Sequence, residues 1–409
     1  MILEFTVGNF LSFKDKKTLT LEAGSIKELK DNVVREGKYK ILRSAVIYGA
    51  NSSGKSNFIK ALEFMVKTVK NSSKHNSTDK LNAKPFLLST ETEDKPSYFE
   101  ILFLSEGKRY RYGFELDNNR IHSEWLYIQE KDSKKEILYF IRTLEGIGVA
   151  DIFEDAKGLE GRTRDNALFI SLADQFNSNI AQVVMYKISF TKILSGIEHE
   201  ESISMTSAIY NYDDEFKDYN YRPMLNKFVA KLDLGFQNFN IDTNDDDDFK
   251  TRLKTIHNKY DNKGSLNSKV EFKMNESESS GTNKIFDLSG YIIWALDFGF
   301  PLIIDELDAK LHPILTQQII TLFNNPETNP KNAQIIFSTH DTNLLSSNLF
   351  RRDQIWFTEK DKYEATDLYS LLEFKDENGK TVRNDRSFEA DYIKGRYGAI
   401  PYLSNFQEI

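Results

Sequence analysis

The chain has 409 residues, of which 54 are lysine or arginine and 62 are aspartate or glutamate, giving a formal net charge of −8. This length fits one large α/β core with an inserted or appended subdomain. Because the chain has no cysteine, disulfides, thiolate metal sites and a cysteine nucleophile are excluded. The acidic balance argues against a broadly basic nucleic-acid binder, although a local basic groove stays open.

No membrane segment is predicted. The chain begins without a basic-then-apolar signal pattern. Its longest apolar run, residues 291–304, is interrupted by Asp297, Gly299 and Pro301 and is shorter than the ~20 residues of a spanning helix. We therefore interpret this run as buried core, and we expect a cytoplasmic protein that does not contact a membrane.

The first half of the chain predicts an α/β unit followed by antiparallel strands. Leu3, Phe5 and Val7 alternate with polar residues, which predicts a strand that residues 18–22 could pair with. Residues 41–48 read as a strand leading into a glycine-flanked loop. The helix predicted next has one apolar face, formed by Phe58, Ile59, Leu62, Met65, Val66 and Val69. Short strands and tight turns over residues 97–142 predict an antiparallel meander.

The second half returns to an α/β pattern after a different middle part. Residues 165–235 look mainly helical, and 236–280 are polar and strand-poor apart from 270–274, with the acidic run 245–248 read as a solvated loop. A helix over 281–298, strands at 302–304 and 334–338, and a helix from Pro313 follow. We predict an α/β fold with a mixed core sheet, an antiparallel β-meander and an inserted, mainly helical subdomain. The core is divided between residues 1–164, which also hold the meander, and residues 276–409, and the inserted subdomain is residues 165–275.

Residues 49–56 match Gly-x-x-x-x-Gly-Lys-Ser, and we call this segment the cradle. Its glycines let backbone N–H groups point at phosphates, Lys55 supplies charge at the β- and γ-phosphates, and the Ser56 hydroxyl ligates Mg²⁺. A chance glycine-serine turn is the alternative, which the flanking strand and helix disfavour. The predicted cofactors are ATP and Mg²⁺. The predicted ATP-binding residues are Gly49, Asn51, Ser52, Ser53, Gly54, Lys55, Ser56 and Asn57.

A second set of polar residues follows two later strands. The apolar segment 301–304 ends in Asp305, suited to Mg²⁺, and Glu306, suited to orient or deprotonate the attacking water. His340 follows the strand at 334–338 and could donate to the γ-phosphate. We predict Glu306, His340 and Lys55 as catalytic residues. The alternatives are solvated acids capping a buried strand and a structural histidine.

The order of these segments resembles ABC-type ATPases of the SMC, RecF and OLD branch, as does the opening Asn-Phe-x-Ser-Phe at residues 9–13. The closer likeness is to stand-alone bacterial ATPases of abortive-infection and anti-phage operons, the RloA/AbiL type, through residues 278–282, 305–313 and 392–401. In the resemblance, 49–56 is the Walker A loop and 302–306 is Walker B. The remaining correspondences are the signature at Ser279, Ser280, Gly281 and Thr282, the D-loop at Asp308, and the switch histidine at His340.

The resemblance implies a homodimer, or a higher oligomer, in which two protomers sandwich two ATP molecules. Ser280 and the N-terminus of the helix after Gly281 would meet the partner's γ-phosphate, and Asp308 would link the two sites. The resemblance also calls for a Q-loop glutamine. Gln175 is the candidate, and a glutamine on a helix surface is the competing interpretation.

Three functions remain open at this stage. The first is an ATPase that senses infection and controls a separate effector protein, a nuclease, since the sequence carries no nuclease constellation of its own. The second is a DNA-repair or recombination ATPase that clamps nucleic acid directly. The third is a nucleotide-gated scaffold with very slow turnover.

Overall fold

A computed structural model describes residues 1–131, 133–195, 205–206, 209, 221–232, 235–236, 238–241, 253–346, 348–376 and 379–401. The acidic run 245–248 lies outside the described residues. Within those ranges, no helix is both long and apolar enough to cross a bilayer. The strands are, in chain order, β1 (Ile2–Gly8), β2 (Lys17–Thr20), β3 (Val33–Glu36), β4 (Tyr39–Leu42), β5 (Ser44–Tyr48), β6 (Ser97–Ser105), β7 (Lys108–Leu116), β8 (Ile121–Gln129), β9 (Ile137–Thr143), β10 (Gly146–Val149), β11 (Lys192–Ser195), β12 (Asn238–Ile241), β13 (Leu253–Tyr260), β14 (Leu266–Lys273), β15 (Leu302–Asp305), β16 (Ile335–Ser338), β17 (Ile355–Lys360) and β18 (Thr366–Ser370). The α-helices are α1 (Lys55–Asn71), α2 (Phe169–Gln175), α3 (Asn179–Ser189), α4 (Tyr221–Ala230), α5 (Met274–Ser277), α6 (Ser280–Phe298), α7 (Pro313–Asn324) and α8 (Phe388–Ile393).

Six strands form the core sheet, in the order β11-β15-β16-β5-β17-β18. All neighbours are parallel except β17 and β18. The sheet is buried on both faces, and successive residues of a strand point to opposite sides. Ile303 therefore packs toward α1, whereas Leu302 and Ile304 pack toward α6 and α7.

A second sheet is the antiparallel meander, in the order β10-β9-β8-β7-β6-β1-β2. The N-terminal strand β1 pairs with β2, as predicted, and joins the meander through β6. Helix α1 contacts β1 on one side and β15 on the other, so it lies between the two sheets. The predicted fold class, α/β with a mixed core sheet and an antiparallel meander, is confirmed.

The middle of the chain differs from the prediction in its strand content. Residues 236–280 were expected to hold a strand only at 270–274, which overlaps β14, yet β12 and β13 also lie there and form a three-stranded antiparallel sheet with it. The inward-facing side of β13 carries Thr255 and His257 after Leu253, so this strand shows little apolar alternation in the sequence. Helices α2 and α3 pack against α1, and β11 pairs with β15 in the core sheet. The three-part division of the chain stays a prediction.

The single strand predicted over residues 41–48 is two strands in the structure. Strand β4 pairs with β3, whereas β5 enters the core sheet, and Arg43 lies at the change of direction. The buried Arg43 guanidinium donates to the carbonyl oxygens of Asp31 at 3.0 Å and Asn329 at 3.1 Å. The polar pair Arg43-Ser44 is the sign of this switch in the sequence, and both residues are buried like the apolar residues on either side of them.

Candidate functional site

The predicted site segments all emerge at one edge of the core sheet. Strands β5, β15 and β16 are adjacent and parallel, with Ser338 opposite Ile47 and Ile304 opposite Phe337. The carboxyl ends of parallel strands meet at the same edge, which is where open α/β sheets bind ligands. The cradle, the Asp305-Glu306 pair and the Thr339-His340 pair are therefore brought together.

The cradle has the strand–loop–helix context that a phosphate site requires. Gly54 adopts a φ of 115° and α1 begins at the next residue, so the N-terminus of a 17-residue helix faces the loop. The buried Lys55 ammonium donates to the carbonyls of Gly49 at 2.8 Å and Ala50 at 3.0 Å. Burial lowers the pKa of Lys55, while Glu306 and Asp305 oppose that shift. Asn51 and Ser52 are exposed and Ser56 is half-buried, so all three can meet a ligand.

Two threonines that were not predicted press against the cradle. The Ser53 and Thr358 hydroxyl oxygens are 2.6 Å apart, and the Thr366 hydroxyl donates to the Ser53 carbonyl at 3.0 Å. A Cβ at Gly49 would lie 2.5 Å from the Thr358 hydroxyl oxygen, and a Cβ at Gly54 would lie 2.4 Å from that of Thr366. Both glycines are thus required by packing against β17 and β18. A lone threonine in a strand carries no sequence signal of this role.

The N-terminal motif supports the start of α1. The Ser12 hydroxyl accepts from the Asn57 amide at 2.8 Å, and its oxygen lies 2.8 Å from the Thr366 hydroxyl oxygen. The Phe13 ring packs against Phe58. In this structure the Asn57 amide, predicted to bind ATP, therefore positions the helix through Ser12.

Asp305 and Ser56 carry the side-chain oxygens that are predicted to hold a magnesium ion. The Ser338 hydroxyl donates to the Asp305 carboxylate at 2.5 Å and accepts from the Glu306 backbone N–H at 2.7 Å, which orients both acids. Mg²⁺ prefers oxygen ligands and usually takes only one or two carboxylates, completing its shell with water and phosphate. In the described ranges, no group of three or more histidine, aspartate or glutamate side chains is arranged so that it could hold a metal ion by itself.

Glu306, Asp308 and His340 surround the same edge. Glu306 has a left-handed backbone, with φ 54°, at the turn where β15 ends. The His340 backbone N–H donates to the Asp308 carboxylate at 3.4 Å, which links the predicted D-loop to the predicted switch residue. Partial burial lowers the pKa of His340, and the Lys55 ammonium lowers it further, against the carboxylates of Glu306 and Asp308.

The predicted signature lies at the N-terminus of α6. Ser279 caps the helix by accepting from the Thr282 N–H at 3.1 Å, and both Ser279 and Ser280 are exposed. A Cβ at Gly281 would lie only 2.6 Å from the Lys310 carbonyl oxygen, so the helix start and the D-loop pack in direct contact. The signature thus presents a helix N-terminus to solvent while its inner side rests on the D-loop.

Lys284, one turn into α6, was not predicted. Its ammonium is buried and donates to three backbone carbonyls, those of Glu306 at 3.2 Å, Leu307 at 2.9 Å and Ala309 at 2.5 Å. Burial lowers the pKa of Lys284 to about 8. A lysine among apolar residues of a helix is the only sequence signal, and it does not reveal the partner.

Gln175 is not brought to the site. Its amide donates to the Ser73 hydroxyl at 3.0 Å, just beyond the C-terminal end of α1. The cradle is at the other end of this 17-residue helix, about 25 Å away at 1.5 Å per residue. A helix-surface glutamine is therefore the interpretation that the placement favours, and the Q-loop is not located.

The segment 392–401 packs behind the cradle. The Tyr392 and Tyr48 rings are 5.6 Å apart, next to the end of β5, and the Tyr392 hydroxyl donates to the Ala399 carbonyl at 3.1 Å. Asp391 holds the segment through Arg396 at 3.1 Å and the Tyr397 hydroxyl at 3.1 Å. This segment, which carries part of the family resemblance, thus packs against β5, the strand that leads into the cradle.

Comparisons with known proteins place these observations in a family. Residues 44–346 match the family described as "AAA domain, putative AbiEii toxin, Type IV TA system". No curated protein matches the chain. Among solved structures the chain is similar to "SMC head domain from Thermotoga maritima", with 14% identity, a TM-score of 0.42 and coverage of 90% of this chain and 98% of that one. It is also similar to "the recombination mediator protein RecF-ATPrS in RecFOR pathway", with 13% identity, a TM-score of 0.35 and the same coverage of 90% and 98%.

Proposed function

The chain belongs to the family described as "AAA domain, putative AbiEii toxin, Type IV TA system", and on that premise we propose that it binds and hydrolyses ATP. The convergence of three segments at one sheet edge carries the proposal: the cradle, the Asp305-Glu306 pair and His340. A phosphate-binding loop alone would support nucleotide binding. A buried strand that ends in two acids beside it supports hydrolysis as well.

Each residue has a role that follows from its position. The loop amides and Lys55 bind the phosphates, and Lys55 exchanges its carbonyl partners, Gly49 and Ala50, for them. Glu306 orients the attacking water and accepts its proton. Ser56 and Asp305 would hold Mg²⁺, which neutralises charge on the phosphates when bound. His340 donates to the γ-phosphate.

We propose that the active unit is a homodimer with composite sites. Ser280 is exposed at the start of α6, where the N-terminal dipole favours an anion. Within one protomer α6 rests on its own D-loop through Gly281, which leaves the outward side of the signature for a partner's nucleotide. Each cradle would then face the signature of the second chain.

The biological role that we propose is regulation in an anti-phage or toxin–antitoxin setting. The family description, which names a toxin and a type IV system, supports this setting. We propose that the ATPase controls a separate effector, a nuclease, because its own polar residues at the sheet edge are those of nucleotide chemistry. A stable complex recovered with the Glu306→Gln protein as bait, from cells expressing the neighbouring gene, would test that step.

Hydrolysis is tested by steady-state ATPase assays on the wild type, Lys55→Ala and Glu306→Gln. Loss of a general base lowers turnover by roughly 10²–10⁴-fold, so Glu306→Gln should bind ATP, turn it over very slowly and accumulate as an ATP-bound dimer in light scattering. Lys55→Ala should lose nucleotide affinity. Glu327→Gln, an exposed matched substitution, should behave as the wild type. Normal turnover by Glu306→Gln would remove Glu306 from its assigned role.

The composite site is tested by mixing two inactive variants, Lys55→Ala and Ser280→Arg. In a mixed dimer with sites in trans, one site carries both lesions and the other carries neither, so mixing restores part of the activity. Sites built within one chain stay inactive in every combination. Ser133→Arg serves as the matched control for the arginine substitution.

A second candidate function, a repair-type ATPase that contacts nucleic acid, is favoured by one observation. Strands β13 and β14 form a hairpin that carries five lysines, Lys254, Lys259, Lys263, Lys269 and Lys273. This candidate predicts that nucleic acid stimulates hydrolysis.

A further inference from the structure

The β13–β14 hairpin, residues 253–273, is largely exposed to solvent. Seven of the eight residues of β14 are exposed, and the remaining one, Val270, is half-buried. β14 is also an edge strand, since the sheet order is β12-β13-β14. Antiparallel strands usually bury one face. A strand that buries neither contributes little to the hydrophobic core, and most of its side chains face solvent.

Charge sets the hairpin apart from the rest of the chain. Its five lysines face only two acids, Asp261 and Glu271, on a protein of net charge −8. Lys254 pairs with Glu271 at 4.0 Å and Lys273 with Glu276 at 3.4 Å. The other three lysines, which form no ion pair among the residues that the structure describes, lie toward the turn: Lys259, Lys263 and Lys269.

Apolar side chains accompany these lysines at the turn end of the hairpin. Tyr260 and Leu266 lie opposite each other in the register and are 57% and 59% exposed. Lys269 lies opposite Asn258, and Asn258 is two residues before Tyr260, so alternation of side chains along β13 puts this pair on the same face as Tyr260. A register shift separates the pair from Leu266. Ammonium groups beside an exposed aromatic ring are the combination that contacts phosphates and bases in nucleic-acid-binding proteins.

Two side chains of β13, Thr255 and His257, contact Glu278, the residue before the signature. Glu278 accepts from the Thr255 hydroxyl at 2.6 Å and lies 2.7 Å from the His257 Nε2, through the same carboxylate oxygen. Thr255 is fully buried, so this contact is shielded from solvent. Ser279, the next residue, caps α6. A displacement of β13 would therefore also move Glu278, and with it the start of the signature.

We propose that the β13–β14 hairpin binds the phosphate backbone of a nucleic acid and that Glu278 conveys its occupancy to the signature. Charge complementarity selects this partner, because duplex DNA carries one negative charge per about 1.7 Å of helix axis. The first half of the proposal stands on the hairpin alone. The second half rests on the proposed ATPase function.

Binding is tested by fluorescence anisotropy with a fluorescein-labelled DNA duplex, using the full chain without nucleotide. The triple variant Lys259→Gln, Lys263→Gln, Lys269→Gln should bind more weakly. Its slope of log affinity against log salt should be shallower by about 2.7 per protomer, from 0.9 for each lost phosphate contact. The matched control replaces three exposed lysines elsewhere, Lys134, Lys135 and Lys362, with glutamine.

Two results of that experiment would overturn the binding proposal. One is an unchanged affinity and salt slope in the hairpin variant, with folding verified by circular dichroism and thermal unfolding. The other is equally tight binding of labelled poly-glutamate by the wild type, which would identify an acidic polypeptide as the natural class of partner.

Coupling is tested with Glu278→Gln, which keeps the side-chain size but removes the charge. This variant should bind the duplex as the wild type does, while the duplex no longer changes its rate of ATP hydrolysis. Glu276→Gln, which loses only an exposed pair with Lys273, is the control. Wild-type stimulation in Glu278→Gln contradicts the relay. A wild type that binds the duplex but hydrolyses no ATP contradicts the proposed ATPase function and leaves the binding result standing.

Discussion

The Lys284 ammonium lies 3.2 Å from the Glu306 carbonyl oxygen and bonds the carbonyls of Leu307 and Ala309 as well. A side chain of the predicted signature helix thus holds the backbone that carries the predicted general base. With Gly281 packed on the Lys310 carbonyl, the start of α6 and residues 306–310 form one joined unit. Binding of a partner's nucleotide to the signature would therefore shift the backbone that carries Glu306.

Replacing Lys284 by methionine keeps the length and apolar stem of the side chain but removes the donor. Three carbonyls would lose their partner, and for the buried one, that of Leu307, the loss costs about 1–3 kcal/mol. We expect turnover to fall by roughly tenfold or more, since 1.4 kcal/mol of barrier corresponds to a factor of ten, with a much smaller change in the KM for ATP. Steady-state kinetics beside thermal unfolding would separate the two effects. Lys331→Met, at an exposed lysine, is the control, and an unchanged kcat in Lys284→Met would contradict the coupling.

Gly281→Ala probes the same junction from the other side. The added Cβ would lie 2.6 Å from the Lys310 carbonyl oxygen, closer than a carbon and an oxygen can pack, so the helix start must move away from the D-loop. We expect reduced turnover and weaker ATP-dependent dimerisation. Gly161→Ala meets no atom within 4 Å and should leave both unchanged. Equal activity of the two variants would show that the close packing has no functional consequence.

The residues predicted correctly as neighbours belong to contiguous motifs at strand ends. The cradle, Asp305-Glu306 and His340 each follow an apolar run. Because the three strands are adjacent and parallel, their carboxyl ends bring these residues together. The residues that escaped prediction act across long stretches of sequence. Thr366 reaches Ser12 and the Ser53 carbonyl from over 300 residues away, and nothing in its local sequence distinguishes it from any strand threonine.

The same physical limit explains the misjudged middle region. A strand is recognised by an apolar face, and β13 has little of one, because its inward-facing side carries Thr255 and His257 after Leu253. Gln175 is a different kind of error. It was chosen as the Q-loop candidate because it is a glutamine, and no neighbouring motif fixed its position. The hydrogen bond from its side chain to Ser73 places it at the far end of α1 from the cradle.

Ser338→Ala should raise the magnesium requirement. The hydroxyl donates to Asp305 and accepts from the Glu306 N–H, so its removal frees the carboxylate to rotate and leaves an amide unpaired. We expect a several-fold higher Mg²⁺ concentration for half-maximal ATPase activity, measured by magnesium titration at fixed ATP. Ser171→Ala, whose hydroxyl bonds the Val69 carbonyl away from the site, should leave the magnesium titration unchanged. A wild-type titration curve for Ser338→Ala would separate Ser338 from the metal site.

His340 provides a direct readout of the charge balance at the sheet edge. Partial burial and then the Lys55 ammonium lower its pKa, while the carboxylates of Glu306, Asp308 and Asp305 act in the opposite direction. The folded protein therefore releases the imidazole proton more readily than the unfolded chain does. This group's contribution to stability is present above the ordinary pKa of 6.5 and is lost as the pH falls through the lower folded-state pKa.

An NMR titration of the His340 ring, assigned by its absence in His340→Asn, should give a midpoint below 6.5. In Lys55→Met the midpoint should rise, because the nearest cation no longer opposes protonation while the three carboxylates still favour it. Lys67→Met, at an exposed lysine three turns further along α1, should leave the midpoint unchanged. If Lys55→Met fails to raise the midpoint, the two side chains do not share one electrostatic site, and the assignment of His340 beside the γ-phosphate loses its physical basis.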